Sequence, residues 1–300
     1  MSPVNAAGLG DPAAVPLARA GLGARLDARL LLLPAAAMLL LGFGLPLASF
    51  FVRVFLIDNP AGEMLGAFAE VLGSPVMRSA MLVTNGIALV VTLATLLVGY
   101  PVAYFLSVDR SWRFSLVIFC IVVPYFTSVI VRTYSWMVLL GRNGVINRAL
   151  LETGLVEKPL PLMYNKPAIV LAMAYVLLPY MVLTLFAAMR AIDPSLMRAA
   201  ASLGASGRYA FRHVFLPLSM HGVLAACLIV YILALGFFIT PALMGGPSDV
   251  MIAMLIERAA EVTLDWRLAA ILSLVLLAAT LLLYALYFRF ADAKRLLQGI

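Results

Sequence analysis

The sequence predicts an all-α polytopic membrane protein, a helical bundle of about six transmembrane helices, and three observations carry that expectation. Of the 300 residues, 64% are apolar and only 12% charged, with a mean hydropathy of +1.07. An ordinary globular domain holds about 45–50% apolar and about 25% charged residues, so a water-soluble fold of this composition could not cover its own surface. Apolar runs recur along the chain near or above the roughly 20 residues that a helix needs to cross about 30 Å of hydrocarbon. The basic residues, finally, are distributed unevenly between the connecting segments.

Residues 1–29 are rich in Ala, Gly and Pro, lack periodicity and carry Arg19, Arg25 and Arg29, which predicts a flexible cytoplasmic tail. The first apolar run, 30–52, is longer than the about 7–15 residues of a signal-peptide core, so it is expected to stay in the membrane uncleaved. With the outer loop after it, this first helix makes a segment 30–78. A core transmembrane domain is expected over 79–290, with further spans near 79–106, 114–140, 167–189, 217–240 and 267–288, and a short cytoplasmic tail over 291–300. Pro34, Pro46, Pro101, Pro124, Pro179 and Pro241 fall in or at the edge of these runs. In lipid they imply bent helices whose freed carbonyls are satisfied by neighbours or water.

With both termini in the cytoplasm, 12 of the 21 Lys and Arg lie on inner segments and nine on outer ones. Five of the 14 acids lie inside and nine outside, so the inner side is strongly positive and the outer side neutral. That is the orientation the positive-inside rule selects. The net charge of +7 then needs no nucleic-acid partner, because topology and anionic lipid account for it. Cys120 and Cys227 sit in apolar runs as small hydrophobes. His213 and His221 have no companions at metal-ligand spacing, so no metal site is expected. No nucleophile–base constellation points to an enzyme.

The informative connection is 191–216, between the fourth and fifth spans. Asp193 is a good N-cap, Pro194 fits the first helical position, an Ala-rich stretch propagates a short helix, and Gly204 is placed to stop it. A second amphipathic piece, 208–215, leads through Leu216 and Pro217 back into the membrane. Two helices do not need so elaborate an elbow merely to be connected. Here the chain resembles the membrane subunits of binding-protein-dependent ABC importers. Their loop reads Glu-Ala-Ala, three residues, Gly, nine residues, Ile-x-Leu-Pro, and Ala199, Ala200, Gly204, Val214, Leu216 and Pro217 stand at those spacings, with Arg198 where the family usually has Glu. Further stretches are similar to the polyamine (spermidine/putrescine) branch: Thr84-Asn85 with Gly99–Tyr104, Pro124-Tyr125 with Val131–Trp136, Leu140–Asn147, Leu178–Met181, Gly236–Gly246 and Asp265-Trp266.

The resemblance implies a type I importer permease, half of a translocation path, with no cofactor of its own. A separate ABC ATPase subunit would bind ATP and grip the elbow at Arg198, Ala199, Ala200, Leu203, Gly204, Leu216 and Pro217. A second homologous permease would complete the pore, and a periplasmic binding protein would deliver a small cation such as spermidine or putrescine. The chain itself has no phosphate-binding Gly-x-x-x-x-Gly-Lys-Ser/Thr loop.

Tyr125, Tyr134, Trp136, Phe237 and Trp266 are candidates for stacking on a cation or alkylamine, or are belt aromatics at the membrane edges. Arg132 either faces a cavity or snorkels to the interface. Asp265 is the candidate among the carboxylates of the last outer loop. Two rival readings keep the bilayer and change the work done in it. One is an importer for another solute, such as an opine, an amino-acid-like molecule or an anion. The other is an ion-coupled secondary transporter, which the scarcity of intramembrane acids disfavours.

Overall fold

The computed structural model of the protein describes residues 32–57, 61–109 and 111–297. The tail 1–29 lies outside the described residues. Among the described residues every regular element is helical. They fall into two compact units divided after Asp58.

The first unit holds α1, Leu32–Phe55, a helix long and apolar enough to span a bilayer. In the second unit, α2 (Ala61–Gly73) precedes α3 (Pro75–Val108), which Ser74 caps by accepting from the Met77 amide at 3.1 Å. Then come α4 (Trp112–Val122) with a 3₁₀ turn to Phe126, α5 (Val129–Leu140) and the short α6 (Val145–Glu152). Next are α7 (Lys166–Arg190), α8 (Pro194–Ser202) and α9 (Gly207–Leu235). Short α10 (Ile239–Met244) and α11 (Ile252–Glu257) lead to α12 (Trp266–Leu297). Five helices among the described residues are long and apolar enough to cross a membrane, and six if α4–α6 counts as one bent span.

The centre is a triad of α3, α7 and α9, which supply most of one buried cluster including Val91, Met173, Met181, Leu185, Ala226 and Val230. Small residues set the spacing. A Cβ on Gly222 would collide with the Ala188 side chain, and one on Gly99 would come within 2.9 Å of Met181 Cγ. Close approach of this kind is how helices associate in lipid, where burial of apolar surface gives no advantage over contact with acyl chains. Pro101 and Pro179 stay inside α3 and α7, Pro179 buried in that packing and Pro101 on an outer face.

The expected third span is sharply broken. The run 114–140 is two helical pieces that meet at an angle of 103°. Pro124 has no amide to continue the ladder, and Thr127 and Ser128 both take extended ψ values, so the chain leaves α4 and restarts as α5. The separate piece expected over 208–215 is corrected, because it is the start of α9. A π turn at Phe211–Phe215 carries the helix into Pro217: the Leu216 amide donates to the Phe211 carbonyl, one residue farther back than in an α-helix.

Polar side chains fasten the end of the bundle opposite α8. Asn147, fully buried, accepts from the Leu160 amide at 2.8 Å and donates to the Leu160 and Gly141 carbonyls. Asp249, also buried, accepts from the Gly246 amide at 3.0 Å and so closes the turn between α10 and α11. The Thr84 hydroxyl accepts from the Ile252 amide at 2.9 Å, tying α11 to α3.

Candidate functional site

The elbow between α7 and α9 is the most completely finished surface feature. Asp193 accepts from the Ser195 amide at 2.8 Å and so caps α8. Its hydrogen bonds with Ser195 hold the carboxyl below the usual carboxylate range, and Arg198 adds to that effect. The cap is therefore ionised at neutral pH. At the far end Gly204 adopts φ +86°, the left-handed region that glycine enters without steric cost. The Gly204 amide donates to the Ala201 carbonyl, and the Ala205 amide donates to the Ala200 carbonyl, both at 3.0 Å. This pair is a Schellman closure. Ser206 then accepts from the Tyr209 amide and starts α9.

Met197 and Ile192 pack toward the core, which orients α8. Its other face is open: Arg198, Ala199 and Gly204 are exposed, Ala200 is half-buried, and Leu203 is 89% exposed at the tip. Leu216 and Pro217 stand below, in α9, half-buried and exposed respectively. Behind the elbow a cleft of about 500 Å³ lies against the end of α3, with Tyr104, Ser107, Arg190 and Asp193 on its walls.

The candidate path residues do not gather in one place. Tyr125 and Arg132 flank the break between α4 and α5. Tyr125 meets Tyr180 of α7 edge-on, with ring centroids 5.6 Å apart and hydroxyls 3.5 Å apart. Arg132 lies within electrostatic range of that Tyr180. Its two alternatives are now separated: Arg132 is only 8% exposed, so it does not snorkel to a free surface, and its Nε is buried without a hydrogen-bond partner. Beside it, Thr133 and Thr240 share a hydrogen bond of 3.1 Å that links α5 to α10.

Trp136 is half-buried on α5 and meets Tyr175 at 5.7 Å, while Tyr134 is exposed. Phe237 packs against the central cluster. Asp265 and Trp266 are exposed at the start of α12, where Asp265 accepts from the Leu268 amide at 2.9 Å as a helix cap. Sequence reasoning missed Tyr180 as a partner of Tyr125. It also missed the hydrogen bond of 2.6 Å that Tyr231 donates to Asn85 between α9 and α3. Neither pair has a local signal, since their residues lie far apart in the chain.

The model of the family described as the inner membrane component of binding-protein-dependent transport systems matches residues 96–295, which takes in both the elbow and the break. The chain belongs to this family.

Among the curated relatives of this permease is the spermidine/putrescine transport system permease protein PotB of Escherichia coli strain K12. The two are 34% identical over 251 residues, covering 84% of this chain and 87% of the relative. The PotB of Haemophilus influenzae is 32% identical over 242 residues, covering 81% and 82%. Solved structures share the fold of the permease at low identity. A chain of a bacterial ABC transporter that imports the acidic polysaccharide alginate aligns with TM-score 0.65 and 17% identity, covering 89% of this chain and 97% of that one. A chain of the MetNI methionine transporter aligns with TM-score 0.57 and 15% identity, covering 73% and 95%. The alginate transporter has also been solved in complex with its ligand-bound periplasmic protein. The chain is thus a multi-pass inner-membrane permease, a transport subunit.

Proposed function

We propose that this permease forms half of the path of an importer for small polyamines such as spermidine and putrescine, with both termini and the elbow in the cytoplasm. The observation that carries the coupling role is the elbow itself. A helix capped at both ends, anchored by Met197 and offering an exposed Leu203 and small alanines, is a stiff knob suited to a cleft on another protein. An ATPase subunit that closes on ATP pushes this knob, and the triad α3–α7–α9 carries the displacement to the opposite end as a rigid body. A second, homologous permease supplies the other half of the path, and an extracytoplasmic binding protein supplies the solute. The polyamine assignment rests on the relatives at 32–34% identity. The positive inner segments favour the orientation.

The test is to purify the subunit from its native membrane, identify what accompanies it, and measure ATP-driven uptake of labelled spermidine into proteoliposomes loaded with the whole complex. An accompanying ATPase and saturable uptake that requires ATP support the reading. Uptake by the lone subunit without ATP would replace it with a secondary transporter.

One observation favours a second reading of the solute. Arg132 lies in the first turn of α5, where the helix dipole is already positive, and its buried Nε has no partner. A carboxylate-bearing solute, opine-like or amino-acid-like, would complete that site, and an ammonium group would not. Competition decides between the readings: excess putrescine abolishes uptake of labelled spermidine in the first, and an opine does so in the second.

A further inference from the structure

The foot of α9 carries a cleft whose two rim arginines are not among the residues assigned to the coupling contact. Arg208 and Arg212 stand four residues apart in the first two turns of α9 and so share a face. Both are exposed, and among the described residues neither has a carboxylate partner. Beneath them is a cleft of about 640 Å³ between α3 and α9, lined by Tyr100, Pro101, Tyr104, Phe211 and Leu216. Its floor is aromatic and braced. Tyr104 meets Phe211 and Phe215 edge-on at 5.1 and 5.0 Å, and those two phenylalanines stack at 5.8 Å. The Tyr100 hydroxyl is occupied by a 2.9 Å hydrogen bond with Ser219 Oγ. The cleft therefore has two free guanidinium groups at one rim and an apolar trough below them, at the start of the long apolar helix α9.

Few ligands have both halves of that pattern. A soluble anion satisfies the arginines and leaves the trough wet. A transmembrane helix fills the trough and leaves two charges unpaired. A phosphodiester with acyl chains does both: its oxygens accept from the two planar guanidinium forks, and a chain lies along the aromatic floor. We propose that this cleft binds an anionic phospholipid of the leaflet on the elbow's side, with the headgroup phosphate between Arg208 and Arg212. The lipid braces α9 against α3 directly below the point where the elbow delivers its push. The composition of that leaflet thereby sets how firmly elbow and bundle move together. The proposal rests on the orientation argued above only in naming the leaflet as cytoplasmic.

The test uses the assembled transporter in phosphatidylcholine nanodiscs, titrated with phosphatidylglycerol, with bound lipid counted by native mass spectrometry. Each basic group near an anionic headgroup is worth about fivefold in affinity, so Arg208→Gln or Arg212→Gln is expected to weaken retention by roughly fivefold and the double variant by roughly 25-fold. Arg113→Gln, which changes an exposed arginine on another segment of the same side, leaves retention unchanged. The doubly Lys-substituted variant keeps part of it. The proposal is overturned if the double Gln variant retains phosphatidylglycerol as the wild type does. It is equally overturned if inorganic phosphate displaces the lipid, which would assign the arginines to a soluble anion, or if the variant keeps its lipid and sheds the ATPase. Lipid counting is independent of transport, so its failure leaves the importer reading standing.

Discussion

The elbow between α7 and α9 and the break between α4 and α5 both turn the helical chain sharply, yet they are finished in opposite ways. At the elbow each terminus is closed: Asp193 caps α8, Gly204 and Ala205 complete its C-terminal closure, and Ser206 opens α9. At the break, α5 begins at Ser128 with no side-chain cap, and four residues later a buried arginine is left with an unpartnered Nε. An unsatisfied buried polar group costs free energy until something pairs with it. The elbow is complete within one chain and can bear a load. The break is incomplete, and in the proposed importer a group on a second permease or on the solute would complete it. In that reading one region transmits and the other responds.

Four substitutions sharpen that contrast. Gly204→Val should have the largest effect. The left-handed conformation costs an L side chain about 1–2 kcal/mol. Since a Cβ there meets nothing within 4 Å, the penalty is purely conformational. ATP-driven uptake should fall roughly tenfold, while Gly204→Asn, which tolerates that region, keeps most of it. Equal uptake by both variants and wild type would deny Gly204 any part in the coupling contact.

Arg132→Met comes next. It keeps an unbranched apolar stem and removes an unpaired charge, so the melting temperature of the isolated subunit should hold or rise while transport by the assembled complex falls. A clear drop in the melting temperature of the isolated subunit would show that the guanidinium is already satisfied within the chain. Ser206→Ala should loosen the start of α9 by about 1 kcal/mol, seen as faster hydrogen exchange at the Tyr209 amide. An unchanged rate would remove Ser206 from the elbow's closure. Asp265→Asn is expected to do least: it keeps an acceptor for the Leu268 amide and removes only a charge at the start of α12. Spermidine uptake should weaken modestly with assembly intact, and an unchanged KM would end the electrostatic role of Asp265.

Much of this was legible in the sequence because it is local. Asp193, Pro194 and Gly204 announce a capped helix by residue type and order, and an apolar run of bilayer length needs no tertiary information to be read as a span. The break was not legible. Pro101, Pro124 and Pro179 look alike in their apolar surroundings, and only packing separates them: α3 and α7 run through the central triad on both sides of their prolines, whereas α4 only half-buries its inner residues against it and ends short of its own. Arg132 posed the same difficulty. Whether a guanidinium in hydrocarbon is buried or reaches the interface depends on what the rest of the chain places around it. The pairs Tyr125–Tyr180 and Asn85–Tyr231 join distant segments and leave no trace in local pattern.

The π turn at Phe211–Phe215 has a consequence for how the permease can change by insertion and deletion. A π turn is an α-helix carrying one surplus residue, and each residue advances a helix by about 100°. Removing one residue between Tyr209 and Leu216 would let the turn relax to ordinary α geometry, and the segments on either side would keep their phase. The regular helix beyond Leu216 has no such reserve: removing one residue there would rotate everything before it, Arg208 included, by about 100° against everything after it. The chain would still read as a membrane helix entered from a glycine-closed elbow, and its hydropathy would barely change. The elbow would nevertheless face the wrong way, a fault of phase with no fault of composition.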